Sequence, residues 1–532
     1  MRRVVEADIC IIGSGITAAM VAERVAEERE ARIVVVEAGD EVVPLEQRVA
    51  RRQRFLDYGE NPWLRDHVDG LEAGGIQSRS MQVGGQAMHW GGVTPRFSPE
   101  DFRVKSLYGV GDDWPLTYDE LDPFYQEAEE RMGVAGGQGP PDLDPRGRPY
   151  PLPELPLSWS LQRLKEWGEK AEIPFWSQPS AKTSVPYRGR PACCRSDTCF
   201  PICPIGAKYS PDFTWRWLRD SGRVRLIPRT VVRRLVPASR SSRIESASAV
   251  DRDRGEVVEF RARSFVVACG YAWSPYLLLI SATDRFPSGL ANSSGLVGKY
   301  IGGHRSVNGF VLLPFKLYPG MNVQHSLVSK RFMRPGRLER YLRHDLRIWE
   351  STFGREPRLR TDSGELLLGD AMLEDWRTRA RQGSARLRAY YDVLPARDSG
   401  LRLDDARRNP WGDPLPGLYL ADSEASRDLR AYSEESIAKV FRRMAAAGGG
   451  EVVEVRPSSF QDHPAGGCRM GSDPATSVVD SWGRTHDHEN LFVVGAPTCV
   501  TMGCANGTLT FCALSLRAAS EIGSGFRRRP RN

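Results

Sequence analysis

Long apolar runs are missing from the sequence. No stretch approaches the roughly 18 apolar residues that a membrane-spanning helix needs, so we expect no direct membrane span. The opening residues, Met1 to Asp8, contain neither an apolar signal core nor a cleavage site, and the chain is therefore expected to stay in the cytoplasm or to be exported by a partner. The sequence also lacks a Cys-x-x-Cys-His motif, which excludes a haem attached in that way.

A strong charge of one sign is absent as well. The 74 Lys and Arg residues and the 67 Asp and Glu residues leave a net charge of only +7, and the two signs alternate along the chain. This pattern is typical of a solvated, salt-bridged surface and argues against nucleic-acid binding. With 532 residues, of which 40% are hydrophobic, the chain is long enough for two or three domains.

Cysteine is sparse except in one place. Four of the ten cysteines, Cys193, Cys194, Cys199 and Cys203, lie in one short segment. Its ending, Cys199-x-x-x-Cys203-Pro204, is typical of ferredoxin-type iron–sulfur ligation, in which closely spaced thiolates hold one cluster. A structural zinc loop and a disulfide-linked surface loop remain alternatives, although neither requires the proline. The other six cysteines lie in apolar or glycine-rich contexts and are interpreted as core residues.

The N-terminal segment is typical of a dinucleotide-binding unit. An apolar run, Ala7 to Ile12, leads into the glycine turn Gly13 to Ala18, and an amphipathic stretch then precedes a second apolar run, Arg32 to Val36. This pattern predicts a strand, a helix and a strand, in which the glycines let backbone N–H groups approach a pyrophosphate at the helix N-terminus. Glu37 follows at the distance expected for an acidic residue that accepts from a ribose hydroxyl.

Further segments extend this unit. Two glycine pairs, at residues 84–85 and 91–92, flank His89 and Trp90, a composition suited to a loop that lies flat against a ligand. The run Phe265 to Gly270 predicts a buried strand that returns to the parallel sheet, so the nucleotide domain is assembled from separated pieces. A helix is predicted from Asp113 to Val134. The arginine-rich stretch Leu313 to Arg456 fits a second domain that covers the substrate.

Several strings resemble the glucose–methanol–choline (GMC) family of flavin oxidoreductases. Besides the N-terminal fingerprint they are Val83 to Trp90, Ala291 to Gly298 and Gly483 to Gly495. Within the family, Asp113 to Glu120 and the cysteine loop from Cys193 to Ala207 look most like the catalytic subunit of bacterial membrane-linked sugar dehydrogenases that act on glucose, gluconate, fructose or sorbitol. The resemblance is faint from about Leu313 to Arg456, where substrate choice would be encoded.

The resemblance implies an α/β fold, α+β overall, with two domains and a connector. A discontinuous, Rossmann-like FAD-binding domain would comprise residues 1–100, 215–312 and 457–532. Residues 101–214 would form a connector or cap that carries the cysteine loop, and residues 313–456 would form a sheet-based substrate-binding domain.

The resemblance also assigns cofactor ligands. The residues expected to bind FAD are Gly13, Gly15, Ala18, Glu37, Ala38, Gly84, Gly85, His89, Trp90, Val232, Ala268, Gly495, Ala496, Gly507 and Thr508. The string around His89 is also similar to pyranose oxidases, in which the corresponding histidine is bonded to the flavin, so a covalent link is one open alternative. The cysteine loop would hold a [3Fe–4S] cluster through Cys194, Cys199 and Cys203. Cys193 is a possible further ligand, but adjacent side chains rarely reach the same metal atom.

Oxidation of an alcohol by a flavin needs a base near the hydroxyl and a second group that orients the oxygen. Histidine titrates in the useful range, and His463 matches the position of the base in the family. Asn506 matches the second position; it also begins a predicted helix through Ile522, whose N-terminus would stabilise negative charge on the reduced flavin. A simple helix N-cap is the other interpretation of Asn506, and the two roles are compatible. His304 lies where relatives often have an Asp-His pair, but the Asp is missing, so we assign it no role.

The resemblance therefore implies FAD-dependent oxidation of a sugar, polyol or sugar-acid hydroxyl. Electrons would leave through the iron–sulfur cluster to a cytochrome c subunit or quinone, and a small export-chaperone subunit would carry the chain to the periplasmic side of the membrane. One alternative is a pyranose or glycoside oxidase that uses oxygen, against which the cysteine loop argues. The other is a non-catalytic flavin electron-transfer subunit, against which His463 with Asn506 argues.

Overall fold

The computed structural model describes residues 3–60, 62, 81–195, 199–200, 202–318, 325–351, 357–361, 363–421, 424–459 and 461–528. Its helices are α1 (Ile16–Glu28), α2 (Arg48–Tyr58), α3 (Val104–Tyr108), α4 (Tyr118–Met132), α5 (Trp159–Glu169), α6 (Asp212–Asp220), α7 (Gly270–Ile280), α8 (Asp370–Ala380), α9 (Glu424–Ala447) and α10 (Thr508–Ser524). Its strands are β1 (Arg3–Glu6), β2 (Ile9–Ile12), β3 (Ile33–Val36), β4 (Trp176–Ser177), β5 (Val224–Ile227), β6 (Thr230–Pro237), β7 (Ile244–Asp251), β8 (Val257–Arg261), β9 (Ser264–Val267), β10 (Gly302–Leu313), β11 (Leu327–Ser329), β12 (Leu346–Glu350), β13 (Gly383–Tyr391), β14 (Gly400–Arg408), β15 (Pro414–Tyr419), β16 (Glu451–Pro457), β17 (Asp462–Ala465) and β18 (Leu491–Val493).

A five-stranded parallel sheet contains the predicted dinucleotide-binding unit. The strand order is β18-β9-β2-β3-β5, and all neighbours run parallel. Strands β2 and β3 are buried along their whole length, as expected for a sheet that is covered on both faces. The predicted strand, helix and strand are confirmed as β2, α1 and β3, and the predicted return strand from Phe265 is confirmed as β9.

Helix α4 is confirmed within the predicted segment from Asp113 to Val134, and its start has a local cause. The Oγ1 atom of Thr117 accepts from the backbone N–H of Glu120, while the Glu120 carboxylate accepts from the Thr117 N–H at 2.8 Å. This capping box satisfies two donors that the first helical turn would leave unpaired. The helix then buries Leu121 and Tyr125 against α10.

A second, separate sheet lies beyond the nucleotide-binding unit. Its strand order is β16-β10-β13-β12-β11-β4, and β17 pairs with the start of β10. One face carries Val307, Leu387 and Ile348, which pack against helices α5 and α9. The opposite face is rich in arginine. The predicted fold class, a Rossmann-like unit with a second, sheet-based unit, is confirmed.

The hairpin β14–β15 packs against helix α7 rather than against the second sheet. A further four-stranded sheet has the strand order β1-β8-β7-β6. Its strand β6 begins at Thr230, close to the carboxyl end of β3. The hairpin lies within the segment predicted as the substrate-binding domain, and β4 lies within the predicted connector although it joins the second sheet. The domain boundaries stay a prediction.

None of the helices in the described part of the chain is both long enough and apolar enough to cross a membrane.

Candidate active site

A cavity of about 470 Å³ lies at the carboxyl ends of the parallel strands. It is bordered by Ile12 at the end of β2, Val36 at the end of β3 and Ala268 after β9. Ligands of open α/β sheets bind at this edge of the sheet.

The turn between β2 and α1 requires glycine. Gly13 has a φ of +94°, and a Cβ atom there would lie 2.7 Å from the carbonyl oxygen of Ala268. Gly15, the N-cap of α1, makes no side-chain capping bond, so the first N–H groups of the helix are left for a ligand. An anionic pyrophosphate fits this cradle, because N–H groups and the helix dipole both favour negative charge.

Glu37 is a buried carboxylate in the wall of the cavity. Its Oε2 atom accepts from the backbone N–H of Ser14 at 2.9 Å and from the Ser14 hydroxyl at 2.6 Å, and its Oε1 atom accepts from the N–H of Gly39 at 2.8 Å. Burial raises the pKa of Glu37, although these hydrogen bonds oppose the shift. The carboxylate is held in place, with lone pairs left for ribose hydroxyls.

Most of the residues predicted to bind FAD line this cavity. They are Gly13, Gly15, Glu37, Ala38, Gly85, Trp90, Val232, Ala268, Ala496 and Thr508. Among the described residues, the lining leaves out Ala18, Gly84, His89, Gly495 and Gly507. The Nε2 atom of His89 lies 3.1 Å from Nε2 of Gln82. The roles of all these residues stay predictions.

One end of the cavity is closed by residues that the sequence did not reveal. Asn409 and Asp413, in the turn of the β14–β15 hairpin, line the cavity together with Arg233 and Trp273. The guanidinium of Arg233 donates to both carboxylate oxygens of Asp413 at 2.8 Å. The turn segment 409–413, Asn-Pro-Trp-Gly-Asp, is a recognisable turn signal, but nothing in the sequence shows that it folds back onto the nucleotide-binding unit.

The two predicted catalytic residues meet at the other end. The Nδ2 atom of Asn506 lies 2.8 Å from Nε2 of His463, and both residues line the cavity. On its far side, Nδ1 of His463 lies 2.9 Å from Nε2 of His304. The structure therefore brings His304, which we had assigned no role, into contact with the predicted base.

These contacts select one tautomer of His463. An amide nitrogen only donates, so Asn506 donates to an unprotonated Nε2 atom, and the Nδ1–H of His463 then donates to His304. The Asn506 amide thereby occupies the single lone pair of Nε2, and a substrate hydroxyl must replace this contact to reach the base. An unprotonated imidazole nitrogen in this position is suited to receive a hydroxyl proton.

The environment keeps His463 neutral. Burial lowers the pKa of His463 to about 4; Asp462 raises it, whereas Arg347 and Arg388 lower it further. Burial also lowers the pKa of His304 well below the usual value, and His463 adds to that shift. At neutral pH both rings are uncharged.

The backbone at His463 is constrained. Its φ of +51° lies in the left-handed region, which costs a non-glycine residue about 1–2 kcal/mol. Three residues later, a Cβ at Gly466 would lie 2.2 Å from the carbonyl oxygen of Tyr300, so this segment can pack only with glycine there. Strain of this kind is concentrated at functional sites.

Asn506 is not the N-cap of helix α10. That position belongs to Gly507, and the Asn506 amide instead contacts His463. The Oδ1 atom of Asn506 is buried without a hydrogen-bond partner among the described residues. An unpaired buried oxygen at the cavity wall fits a hydroxyl-bearing substrate.

The cysteine loop lies directly behind the loop that lines the cavity. The buried ammonium of Lys208 donates to the carbonyl oxygens of Trp90 at 2.6 Å and Cys199 at 2.9 Å, and so joins the two loops. Cys199 and Cys203 are buried, whereas Cys194 is exposed. Burial raises the pKa of Cys193, and the nearby thiols of Cys199 and Cys203 contribute to that shift.

Residues 196–198 and 201 of the loop lie outside the described residues. Within the part of the chain that is described, no three His, Cys, Asp or Glu side chains are grouped closely enough to hold a metal ion. The predicted cluster ligands Cys194, Cys199 and Cys203 stay a prediction.

Comparison with known proteins gives one clear assignment. A model of the GMC oxidoreductase family matches residues 395–515. The chain is 34% identical over 445 residues to the fructose dehydrogenase large subunit of Gluconobacter japonicus, covering 83% of this chain and 80% of that protein. It is also 28% identical to 6'''-hydroxyparomomycin C oxidase of Streptomyces lividus, over 97% of this chain and 91% of the relative.

The fold is shared with solved structures. Pyridoxine 4-oxidase from Mesorbium loti superposes with a TM-score of 0.63 at 19% identity, covering 97% of this chain and 98% of that one. A likeness at this level of identity shows the fold and no more.

Proposed function

The chain belongs to the GMC oxidoreductase family of flavin enzymes acting on CH–OH groups, and from this premise we propose that it is a dehydrogenase of a sugar, polyol or sugar acid. One observation carries the proposal: an unprotonated His463 Nε2 atom and the Asn506 amide meet at one end of a cavity whose other residues fit FAD. The similarity to a fructose dehydrogenase large subunit supports this substrate class.

The chemistry divides between the cofactor and the side chains. Bound FAD supplies the acceptor for the hydride that leaves the carbon of the alcohol. His463 takes the hydroxyl proton at Nε2, and its Nδ1–H stays directed to His304. The Asn506 amide orients the hydroxyl oxygen. The alcohol loses one hydride and one proton and becomes a carbonyl or a lactone.

A substrate panel tests this function. Purified holoenzyme is mixed anaerobically with aldoses, ketoses, polyols and sugar acids, and bleaching of the flavin absorbance is followed in a stopped-flow instrument. We expect at least one of these compounds to reduce the flavin rapidly and to support turnover with an artificial electron acceptor. Failure of every hydroxyl compound to reduce the flavin would refute the proposal.

An oxidase is the second candidate, because the similar protein from Streptomyces lividus is named an oxidase and matches almost the whole chain. The two candidates differ in the electron acceptor. A dehydrogenase turns over rapidly with dyes or quinone analogues and slowly in air. Equal rates with oxygen, with stoichiometric hydrogen peroxide, would establish the oxidase.

We further propose that the cysteine loop holds an iron–sulfur cluster of the [3Fe–4S] type, which would supply one-electron transfer away from the flavin. Three observations support this proposal: the Cys199-x-x-x-Cys203-Pro204 spacing, the burial of both thiols, and the contact of Lys208 with the loop that contains Trp90. Iron and sulfide should be found in amounts comparable to the flavin in anaerobically prepared protein. Zinc in their place would overturn this assignment.

The proposed partners include the protein that accepts electrons from this chain. The similar fructose dehydrogenase protein is named a large subunit, which supports a multisubunit complex. We propose a small export-chaperone subunit and a cytochrome c subunit as the other members, on the periplasmic side of the membrane. Co-purification of tagged chain from its native cells, followed by mass spectrometry and haem staining, tests this arrangement. Recovery of active chain from the cytoplasmic fraction without partners would refute it.

A further inference from the structure

The second sheet has one face that no described helix covers. Strands β10, β12 and β13 turn Val307, Ile348 and Leu387 toward helices α5 and α9, so the alternate residues of these strands lie on the opposite face. On that face, Trp349 of β12 contacts the guanidinium groups of Arg386 and Arg388 of β13, at 5.1 Å and 5.6 Å from the ring centroid.

Two arginines on this face have no acidic partner within the described part of the chain. Arg386 donates from Nε and Nη2 to Oδ1 of Asn308 at 3.2 Å and 2.7 Å, and Arg388 donates from Nε to the same oxygen at 2.9 Å. Neither arginine forms an ion pair with a carboxylate of the described residues, and an amide oxygen neutralises no charge. The neighbouring Arg347, by contrast, pairs with Asp345 at 2.6 Å.

This arrangement is electrostatically costly in the free protein. Arg388 lies directly opposite Arg347 in the strand register, and like charges in that position are destabilising. Burial lowers the pKa of Arg386 to about 10, and the charge of Arg388 adds to the shift. Uncompensated positive charges of this kind are expected at a site where a bound ligand supplies the negative charge.

One end of this face lies next to His463, the predicted base. The ring centroid of Tyr390 lies 4.4 Å from that of His304 and 5.9 Å from that of His463. Arg388 precedes Tyr390 by two residues on β13, or about 6.7 Å along the strand, and its Nη1 donates to the Tyr390 hydroxyl at 3.0 Å. Tyr390 thus connects the unpaired charge of Arg388 with the ring of His463.

We propose that Arg386 and Arg388 bind an anionic group of the substrate, a carboxylate or a phosphate, placed at the opposite end of the molecule from the hydroxyl that is oxidised. This assignment rests on the proposed function and narrows its substrate class to acidic sugars. Guanidinium forks bind such planar or tetrahedral oxyanions with paired hydrogen bonds.

Matched substrates provide the test. Glucose, glucuronate, glucose 6-phosphate, sorbitol and gluconate are compared as reductants of the wild-type holoenzyme, and glucuronate against glucose 6-phosphate distinguishes the carboxylate from the phosphate. We expect an acidic compound to have the lowest KM, which rises with salt concentration. Arg388→Gln should raise that KM by about 10- to 100-fold and should raise the KM of the neutral sugars much less.

Three further variants complete the experiment. Arg386→Gln should act in the same direction, Arg388→Lys should recover part of the loss, and Arg456→Gln serves as the control, because Arg456 is already paired with Glu454. Neutral sugars that react as well as acidic ones, or KM changes that are equal for both, would overturn the assignment while leaving the dehydrogenase intact.

If no hydroxyl compound reduces the flavin, the dehydrogenase proposal fails. The anion site is then tested by a binding measurement alone. The holoenzyme is then titrated with gluconate and with inorganic phosphate, and its melting temperature is recorded. Stabilisation that disappears in Arg388→Gln but persists in Arg456→Gln would support the anion site, and its absence would refute it.

Discussion

At the scale of single residues, His463 is expected to dominate the rate of flavin reduction. We expect His463→Ala to lower this rate by roughly two to four orders of magnitude, the usual effect of removing a general base, without loss of FAD. Rapid mixing with the best substrate measures the change. His486→Ala is the matched control, because that ring contacts Ser477 and does not line the cavity. Near-normal kinetics in His463→Ala would contradict the assignment.

His304 is expected to hold the productive tautomer of His463. In His304→Phe the Nδ1–H of His463 loses its acceptor, so the proton can move to Nε2 and the base is lost. The rate of flavin reduction should fall about 10- to 100-fold with little change in KM, as is usual for partners that orient a histidine. His304→Gln keeps an acceptor oxygen and should recover much of the rate. An equal loss in both variants would indicate a packing role only.

The resemblance to the family predicted catalytic roles for His463 and Asn506, which stay predictions, but it did not predict their surroundings. Both residues lie in short glycine-rich strings that match the family and can be read in a single chain. His304 was missed because its contact to His463 joins strands β10 and β17, which are far apart in sequence and meet only through sheet pairing. No local pattern records a contact of this kind.

At the scale of elements, the β14–β15 hairpin is expected to retain FAD. Its Asp413 is buried and pairs with Arg233 and Arg234, both on β6, at 2.8 Å. Asp413→Ala leaves these partly exposed cations unpaired at the cavity wall, which should cost about 1–3 kcal/mol. We therefore expect the Kd for FAD, measured by fluorescence titration of deflavinated protein, to rise about 5- to 150-fold.

The same hairpin offers a control for this experiment. Asp404 pairs with Arg407 on the exposed part of β14, away from the cavity. Asp404→Ala should leave the affinity for FAD unchanged. If both variants bind FAD like the wild type, the hairpin does not close the site.

The elements also differ in how far the sequence predicted them. Helices α1, α4 and α10 and strands β2, β3 and β9 were predicted, because caps, glycine turns and apolar runs are local signals. The second sheet was expected only as a unit. Its strand β13 alternates Arg386 and Arg388 with apolar residues, and the pairing that aligns Arg347 with Arg388 is set by residues that are distant in sequence.

At the scale of the whole molecule, the site is assembled from distant parts of the chain. Gly13, Ala268, His463 and Asn506 belong to separate segments, yet all line one cavity. The cysteine loop is joined to the same cavity by Lys208. Binding of FAD to such a site stabilises the native state relative to the unfolded chain, so folding and loading with cofactor are coupled.

Buried histidines should make the whole molecule sensitive to mild acid. Burial lowers the pKa of His325 to about 3 and that of His344 to about 4, and it shifts His304 and His463 in the same direction. As the pH falls from about 6.5 toward 4, the unfolded chain takes up protons that the native state refuses, so the free energy of unfolding decreases by about 1.4 kcal/mol per pH unit for each such histidine.

His325→Gln isolates one of these contributions. His325 contacts Ser177 at 3.0 Å, and neither residue lines the cavity. Since the variant has one titrating group fewer, its free energy of unfolding should decrease less steeply between pH 6 and pH 4, by about 1.4 kcal/mol per pH unit. Urea unfolding of both holoenzymes at several pH values measures the slopes, and activity at pH 7 shows that the site is intact. Buried carboxylates such as Asp345, whose pKa is raised by burial, change the pH dependence of the unfolding free energy equally in both proteins. Parallel plots of unfolding free energy against pH would therefore show that His325 is not held neutral.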